Sequence, residues 1–495
     1  MSGHPHPLGS LRLFGFADRR LDLALTVLLL AVVLAGRIVA FPISIWEQDE
    51  AVFAAGVLDF DATDNRTHPP WFPLWIGMGK LVHLTGIGPA TALQLISFVF
   101  SVWMIFPLTA MWSPVVGRRL AVGASLLFLV APGPWFLSGR AFCGTTATAL
   151  LVASLAFWLQ AAGRPQWLAA GSVTAALAVL VRPHFLPAVL GAMLILALRT
   201  SARHRRLLVA ALVVPLCLGG AALIVSAGGV SPLWSALEGH AQYHFSRLDE
   251  AVRGLAGSGL SRALGHPTLT VAWLVLFHIG MIRVFRQGRW KEISPILIGA
   301  LLPLMVVIYG LSNPAHARYA IPVLALTGGL VALGLERILR KWSWIAIAGS
   351  VIIATGVVGP QLVAYRSTVS PPVAALDDVF TEAKSRRGVV VADRTLHAFF
   401  TLRRLERPSA TPVLFNHMIE LGHVPPPPPE QTVFVFDAGH GEWLRSAENR
   451  RRFSCSIPLV RMLAQDRLLD LTVATGARLN ERPALEERGP SPPRS

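Results

Sequence analysis

The side chains best suited to chemistry lie in the loop after the first apolar stretch, which reads WEQDEAVFAAGVLDFDATDNRTHPPWFPLW over residues 46–75 and holds six carboxylates. Asp49 and Glu50 directly precede AVFAAGVLDF, a run that predicts a helix, so both would lie in its first turn. Two interpretations stay open. Both residues cap that helix and favour its dipole, or Asp49 is a general base whose ionisation is shifted by the apolar boundary and the second carboxylate.

A set of basic and aromatic side chains occurs in turns and loops between the apolar segments. The candidate binding residues are His68, Arg140, Arg182, His240, His244, His316, Arg318 and Tyr319. Each one alone is also explained by contact with lipid headgroups or by capping of a helix end. Together, arginines and histidines beside a carboxylate cluster predict recognition of an anion such as a lipid phosphate.

His240 and His244 are four residues apart, which places them on one face of a helix. A divalent metal would take its ligands from these histidines and from Glu47, Asp49 or Glu50. Contacts with headgroups or with an acceptor are the competing interpretation, because no third protein ligand is apparent. We therefore predict no metal site and no other cofactor, with a divalent metal as the less favoured alternative.

The elements that position these residues must be membrane helices. Of the 495 residues, 53% are hydrophobic and 15% are charged, and the mean hydropathy is +0.55, which an ordinary soluble domain does not accommodate. The net charge of +16 does not indicate a nucleic-acid binder, because the arginines are spread over short loops instead of forming one basic face. Three cysteines predict neither a disulfide framework nor a redox site.

The predicted fold class is an all-α polytopic membrane protein with about eleven transmembrane helices and a small C-terminal α/β extracytoplasmic domain. Runs close to the roughly 20 residues that cross a bilayer must be helical to satisfy their backbone groups. The proline-rich segment 69–85 is predicted to lie at the membrane surface instead. The predicted spans are 22–42, 90–111, 120–137, 145–162, 166–182, 184–199, 207–228, 268–285, 293–311, 318–336 and 343–363.

Orientation follows from the basic residues if the amino terminus, with Arg12, Arg19 and Arg20, is cytoplasmic. The alternation of spans then places every basic cluster in a cytoplasmic turn, as the positive-inside rule requires. These clusters are Arg118 and Arg119, then Arg164, then Arg203, Arg205 and Arg206, then Arg286, Arg289 and Lys291, and finally Arg337, Arg340 and Lys341. The loop with Asp49 and the tail after about residue 365 are then extracytoplasmic.

The tail differs in composition from the spans. Two runs at 388–396 and 432–441 predict strands, the proline run at 425–429 predicts an extended spacer, and the last residues predict disorder. The predicted domains are a transmembrane domain at 1–364 with its first outer loop at 43–89, a small α/β domain at 365–480 and a disordered tail at 481–495.

With this arrangement the chain resembles the GT-C glycosyltransferases, in particular the branch of protein O-mannosyltransferases and lipid A aminoarabinose transferase, glycosyltransferase family 39. The resemblance rests first on the acidic pair Asp49 and Glu50 and the HPPWFPLW segment that follows it. Weaker matches are the SGRAF turn at 138–142, the VRPHFLP turn at 181–187 and ARYAIPVLAL at 317–326. The resemblance covers the whole membrane region.

The resemblance implies an inverting transferase of the bacterial inner membrane that moves one sugar from a polyprenyl-phosphate donor to a lipid, glycan or protein acceptor on the extracytoplasmic face. Asp49 would be the catalytic base, with Glu50 as a supporting or alternative carboxylate. Arg318, with Arg140 and Arg182, would hold the donor phosphate. A second acidic residue common in the family is absent, since Gly144, Thr145 and Thr146 occupy its region.

Two other functions compete with this interpretation. A transporter or lipid flippase predicts ionisable residues or broken helices near the bilayer midplane and a repeated architecture, whereas most charges here map to the ends of spans and no halves resemble each other. A noncatalytic membrane scaffold that presents the tail predicts that Asp49 can be lost without consequence.

Overall fold

The computed structural model describes most of the membrane region and parts of the tail. The described residues are 19–62, 66–67, 69–161, 164–245, 259–311, 316–386, 388–392, 396–406, 415–417, 432–437, 449–464 and 467–475. This part of the chain is mostly helical.

Two compact units are interleaved along the sequence. The first unit comprises Met1–Ile45, Asp49–Thr368 and Ile457–Gln465, and the second comprises Trp46–Gln48, Val369–Ser456 and Asp466–Ser495. The domain bounds 1–364 and 365–480 stay a prediction. The proline run at 425–429 and the tail at 481–495 lie outside the described residues.

The first unit is built of helices. They are α1 (Arg19–Ala40), α2 (Gln48–Leu58), α3 (Pro73–His83), α4 (Pro89–Trp103), α5 (Ile105–Val116), α6 (Arg118–Val130), α7 (Pro132–Phe136), α8 (Cys143–Leu159), α9 (Pro165–Val181), α10 (Leu186–Ala197), α11 (Ala202–Ser226), α12 (Val230–Phe245), α13 (Gly259–Leu264), α14 (Pro267–Arg286), α15 (Trp290–Ser294), α16 (Leu302–Leu311), α17 (Ala317–Leu339) and α18 (Ser343–Ser367). A π-helical segment, Pro295–Leu301, joins α15 to α16.

Each predicted span overlaps a helix, but fewer helices are long and apolar enough to cross a bilayer without a break. Within the described residues five helical stretches meet that requirement, and six do if the bent pair Arg118–Val130 and Pro132–Gly139 counts as one span. The bend in that pair is 66°. Two further apolar helices, α8 and α9, have 17 residues each and fall just short of the required length. The exact number of spans therefore stays a prediction.

The proline-rich segment forms the short helix α3. It has 11 residues and would be about 16 Å long at 1.5 Å per residue, against a hydrocarbon core of about 30 Å. Pro73 occupies its first position, where a missing backbone N–H is tolerated. The length of α3 agrees with the expectation that this segment does not cross the membrane.

Small residues let α14 and α17 pack with their backbones close together. A Cβ added to Gly280 or to Gly334 would lie 2.0 Å from a carbonyl oxygen of the facing helix, that of Leu330 or Leu276 respectively. Such glycine contacts are typical of helix pairs in membranes, where close backbone approach replaces the hydrophobic effect. The contact fixes α17, whose first turn carries Arg318.

The second unit contains a five-stranded sheet in the order β2-β1-β3-β5-β4. Its strands are β1 (Gly388–Ala392), β2 (Phe415–His417), β3 (Thr432–Asp437), β4 (Asn449–Ser454) and β5 (Asp470–Thr475). β1 pairs in parallel with β2 and β3, whereas β3–β5 and β5–β4 are antiparallel. The strands β1 and β3 lie within the two runs that the sequence predicted.

Two helices of the second unit accompany this sheet, α19 (Pro371–Arg386) and α20 (His397–Glu406). Arg451 on β4 forms ion pairs of 2.7 Å with Asp378 and Glu382 on α19. One more helix of the tail, α21 (Pro458–Ala464), belongs to the first unit, where it packs against α18. The backbone N–H of Leu459 donates to Oε1 of Gln361 at 2.9 Å.

Candidate active site

The acidic pair opens α2, as the sequence predicted. Asp49 and Glu50 both lie in the first turn of this helix, where carboxylates interact favourably with its positive end. Consecutive residues of an α-helix point about 100° apart, because a turn has 3.6 residues. Two carboxylates that are adjacent in sequence therefore meet different surroundings.

Glu50 points into the protein and forms an ion pair with Arg140. Both side chains are 0% exposed. Nε of Arg140 donates to Oε1 of Glu50 at 3.2 Å, Nη2 of Arg140 donates to Oε2, and the backbone N–H of Ala141 donates to Oε1 at 3.0 Å. This network ties the start of α2 to the SGRAF turn, and its full burial does not favour Glu50 as an alternative catalytic carboxylate.

Asp49 forms a second ion pair, with Arg318 at the start of α17. Nη1 of Arg318 donates to Oδ2 of Asp49 at 2.6 Å, and the two side chains are 20% and 28% exposed respectively. The guanidinium of Arg318 favours the charged form of the Asp49 carboxylate. This pair is the part of the acidic motif that a small molecule can reach.

Aromatic rings connect the three arginines. The guanidinium carbons of Arg140 and Arg318 lie 4.9 and 5.0 Å from the ring centroid of Phe142. Those of Arg318 and Arg182 lie 5.4 and 5.0 Å from the ring centroid of Tyr319. Cation–π contacts of this kind hold guanidinium groups in place without using their N–H donors.

Arg182 is buried and differs from the other two arginines in its partners. Its guanidinium lies against the rings of Tyr319 and Phe185, and it has no carboxylate partner among the residues that the structure describes. It also lies at the first turn of α8, since a Cβ added to Gly144 would be 2.7 Å from its Nη1. Arg182 is also the C-cap residue of α9, whose negative end favours its charge, whereas the positive end of α8 disfavours it. Arg182 is thus a buried cation for which the described residues provide no carboxylate partner.

A narrow apolar groove with room for about one water molecule lies beside Arg182. It is lined by Arg182, His184, Phe185, Leu304, Val307, Ile308, Tyr319 and Pro322. The groove thus places one buried cation next to apolar side chains. The groove lies between the turn after α9 and the helices α16 and α17.

His316 immediately precedes α17 and lies close to the two ion-paired residues, outside the membrane-spanning part of that helix. Burial, and after it the positive charge of Arg318, lowers the pKa of its imidazole to about 3, with a smaller lowering from Arg262 and an opposing effect from Asp49. His316 is therefore neutral at physiological pH. Its ring also makes an edge contact with Tyr319, with centroids 6.2 Å apart.

The turn before α3 brings the acidic helix and the groove together. Trp71 and Phe72 have φ angles of 73° and 50°, a left-handed conformation that side chains other than glycine rarely adopt. The ring of Phe72 packs against Phe53 of α2 at 5.0 Å and stacks on His184 of the groove at 6.3 Å. Packing on both sides holds this strained turn in place.

Of the ten candidate site residues predicted from sequence, seven lie together in this site. They are Asp49, Glu50, Arg140, Arg182, His316, Arg318 and Tyr319. His68 lies outside the described residues. His240 and His244 lie four residues apart on α12, and their side chains are also outside the described part.

No group of three or more His, Cys, Asp or Glu residues close enough to hold a metal occurs in the described part of the chain. Because the side chains of His240 and His244 are not among those residues, the absence of a metal site stays a prediction.

Sequence reasoning missed Phe142, Gly144 and Phe72 as site residues. Phe142 lies in the SGRAF turn and Phe72 in HPPWFPLW, so both were within the matched segments, but nothing marked their rings as contacts for arginine or histidine. Gly144 was noted only as the place of a missing carboxylate. The structure gives a reason for its lack of a side chain, which is the close approach of Arg182.

No protein-family model matches the chain, and no curated protein matches it. Solved structures do. ArnT from Cupriavidus metallidurans bound to undecaprenyl phosphate aligns with a TM-score of 0.54 and 14% identity over 91% of this chain and 98% of that one. The apo state of the same protein aligns with a TM-score of 0.51 and 13% identity over 92% and 98%.

The oligosaccharyltransferase of Archaeoglobus fulgidus in its apo form gives a TM-score of 0.51 at 12% identity. The alignment covers 79% of this chain and 65% of that longer one. The chain has the GT-C fold. This finding confirms the predicted resemblance at the level of the fold, and with the apolar helices it supports an integral membrane protein.

The GT-C fold gives the geometry above a context. One of the two ArnT structures holds undecaprenyl phosphate, and the archaeal protein is an oligosaccharyltransferase. At identities this low the likeness shows the architecture alone.

Proposed function

We propose that this protein is an inverting glycosyltransferase that moves a sugar from a polyprenyl-phosphate donor to an acceptor hydroxyl, with Asp49 as the general base. The observation that carries this proposal is the partly exposed Asp49–Arg318 pair, which shares the Tyr319 ring with the buried Arg182 at the end of an apolar groove. A carboxylate that can act as a base and two cations are thus close together, beside apolar side chains.

The chemistry needs these three parts and little else. Asp49 accepts the proton of the acceptor hydroxyl as its oxygen attacks the anomeric carbon, and the bond from that carbon to the phosphate oxygen breaks on the opposite face. The leaving phosphate gains one negative charge as this bond breaks. Arg182 and Arg318 stabilise that charge, and because both are held by aromatic rings they need little reorganisation.

Arg140 has a different role in this proposal from the one its sequence suggests. Its Nε and Nη2 donate to Glu50 in a fully buried pair, so it positions the acidic helix instead of binding the donor phosphate. Glu50 likewise orients Asp49 through α2. The phosphate-binding set then reduces to Arg182 and Arg318, which both contact the ring of Tyr319.

The proposal also covers the number of membrane spans and the side of the membrane on which the site lies. We propose about eleven spans in a bacterial inner membrane, with the site and the tail on the extracytoplasmic face. The transmembrane domain would extend over 1–364 and the α/β domain over 365–480. The acceptor would be a lipid, glycan or protein that enters from that face.

The test is sugar transfer by membranes that contain the wild type or Asp49→Asn, with a panel of radiolabelled polyprenyl-phosphate sugars. We expect transfer or hydrolysis by the wild type and a loss of about 10²- to 10⁴-fold in the variant, because the substitution removes the base and keeps the shape. The matched control is Asp59→Asn, an exposed carboxylate just beyond α2 that pairs with Arg66.

Equal activity in the wild type and in Asp49→Asn at equal expression would show that the base lies elsewhere. No activity in any protein across the panel would contradict the enzyme proposal and favour a transporter, a flippase or a noncatalytic scaffold.

A further inference from the structure

The Asp49–Arg318 pair joins the proposed base directly to one of the two proposed phosphate ligands. Oδ2 of Asp49 accepts from Nη1 of Arg318 at 2.6 Å. A carboxylate that accepts a charge-assisted hydrogen bond is held in its ionised form and is a weaker base than one without such a bond. In this arrangement one oxygen of Asp49 is already engaged as an acceptor by Arg318.

Asp49 and Arg318 need each other's charge to different degrees. Asp49 lies in the first turn of α2, whose positive end stabilises its negative charge without help from Arg318. Arg318 lies in the first turn of α17, a helix of 23 residues, where the positive helix end disfavours a cation. Arg318 therefore needs an anion more than Asp49 needs a cation.

A lipid phosphate bound at Arg182 would supply that anion. The guanidinium groups of Arg182 and Arg318 both lie within 5.4 Å of the centroid of the Tyr319 ring, so an anion bound at Arg182 lies in the neighbourhood of Arg318. Arg318 is also partly exposed, which leaves room for a second ligand.

We propose that the phosphate of the donor lipid and the Asp49 carboxylate compete for Arg318, so that donor binding releases Asp49 to act on the acceptor. This inference rests on the proposed function and adds an order to it, with the donor lipid bound before the base becomes fully active. Arg318 then binds the phosphate and also controls the base, whereas Arg182 only binds the phosphate.

Competition predicts an effect that a simple catalytic base does not. Asp49→Asn removes the competing charge, so undecaprenyl phosphate binds the variant about fivefold more tightly than the wild type. Arg318→Gln weakens binding, and in that background the further change Asp49→Asn alters the dissociation constant less than about twofold. In the Arg182→Gln background binding is weak, but the gain of about fivefold from Asp49→Asn persists.

The experiment is a titration of the full-length protein in nanodiscs with undecaprenyl phosphate, followed by native mass spectrometry at constant ionic strength. The six proteins are the wild type, the single variants Asp49→Asn, Arg318→Gln and Arg182→Gln, and the two double variants. Asp59→Asn, which removes a carboxylate elsewhere, is expected to leave the dissociation constant unchanged. If a thermal unfolding measurement shows that Asp49→Asn is misfolded, Asp49→Ser replaces it in the set.

The outcomes separate this inference from the function on which it rests. If Asp49→Asn binds the lipid with equal or lower affinity than the wild type, the competition is wrong and the transferase proposal stands. If the gain persists without Arg318, it is a general charge effect, and the competition is again wrong. If neither the wild type nor Asp49→Asn binds undecaprenyl phosphate, the donor class is wrong and the inference falls with it.

Discussion

Two ion pairs begin at neighbouring residues and end in different environments. The Glu50–Arg140 pair is fully buried and holds three hydrogen bonds, whereas the Asp49–Arg318 pair is 20–28% exposed. The first can hardly exchange its partner, because a separated charge would be left in a medium without water. The second pair can exchange a partner, because water or a bound ligand can solvate the charge that is left.

The difference shows that an acidic pair in sequence can combine a structural residue with a reactive one. The buried pair fixes the start of α2 to the turn at Arg140, and that rigidity holds Asp49 at a constant position. Separate substitutions of the two carboxylates test this division of roles.

The largest expected effect follows from breaking the buried pair. Glu50→Gln leaves the guanidinium of Arg140 as a buried cation without its counter-charge, which lowers the free energy of unfolding by about 3–5 kcal/mol. Chemical denaturation of the protein in detergent micelles measures this change. Asp49→Asn is the matched control, with a loss of at most about 1 kcal/mol, because its pair is partly exposed. Similar losses in the two variants would refute the comparison.

An intermediate effect is expected at Gly144, where a substitution should weaken lipid binding without lowering the stability of the protein. In Gly144→Ala the new Cβ would lie 2.7 Å from Nη1 of Arg182, the flexible end of a side chain, so the guanidinium moves while the fold persists. We expect binding of undecaprenyl phosphate to weaken about tenfold. The midpoint of thermal unfolding should stay close to that of the wild type.

Gly220, a helical glycine of α11 with open space around it, provides the control Gly220→Ala. An unchanged dissociation constant in Gly144→Ala, or the same loss in both variants, would show that Arg182 does not bind the phosphate.

The smallest effect concerns His316, which lies beside the exposed pair. Its pKa of about 3 in the folded protein is below the ordinary value of 6.5, so the unfolded chain binds a proton more readily than the folded one. The stability that His316 contributes is therefore fully present above pH 6.5 and is lost as the pH falls from 6.5 toward 3. Between pH 7 and pH 6 the loss is less than about 1 kcal/mol.

Thermal unfolding of the wild type and of His316→Gln between pH 8 and pH 4.5 measures this effect. We expect the wild type to lose stability below pH 6.5 more steeply than the variant. Parallel curves for the two proteins would show that His316 titrates equally in both states.

Sequence alone predicted the start of α2 and the convergence of the basic turns, because the alternation of spans places every second turn on one face. It did not distinguish the roles of Asp49 and Glu50. That difference comes from a rotation of about 100° between neighbouring helical residues, combined with the packing partners of α2, and neither is visible in the order of residues.

The tail shows a similar limit. The strands β1 and β3 have the β-branched runs that predict a strand, but β4 reads NRRRFS and has no apolar alternation. It forms at the edge of the sheet, pairs only with β5 among the described strands, and its Arg451 finds Asp378 and Glu382 on α19. An edge strand tolerates charges that a central strand does not, so only the tertiary context explains it.

The position of α21 has a consequence for how this chain can be divided. The segment Ile457–Gln465 follows β4 in sequence yet belongs to the helical unit, where α21 packs against α18 and Leu459 donates to Gln361. A truncation after Thr368 would remove one of the helical unit's own helices together with the sheet. A fragment that begins at Val369 would carry the apolar side chains of α21 without their partners. Gene fusions and separately expressed fragments therefore need to keep every point at which the chain passes from one unit to the other.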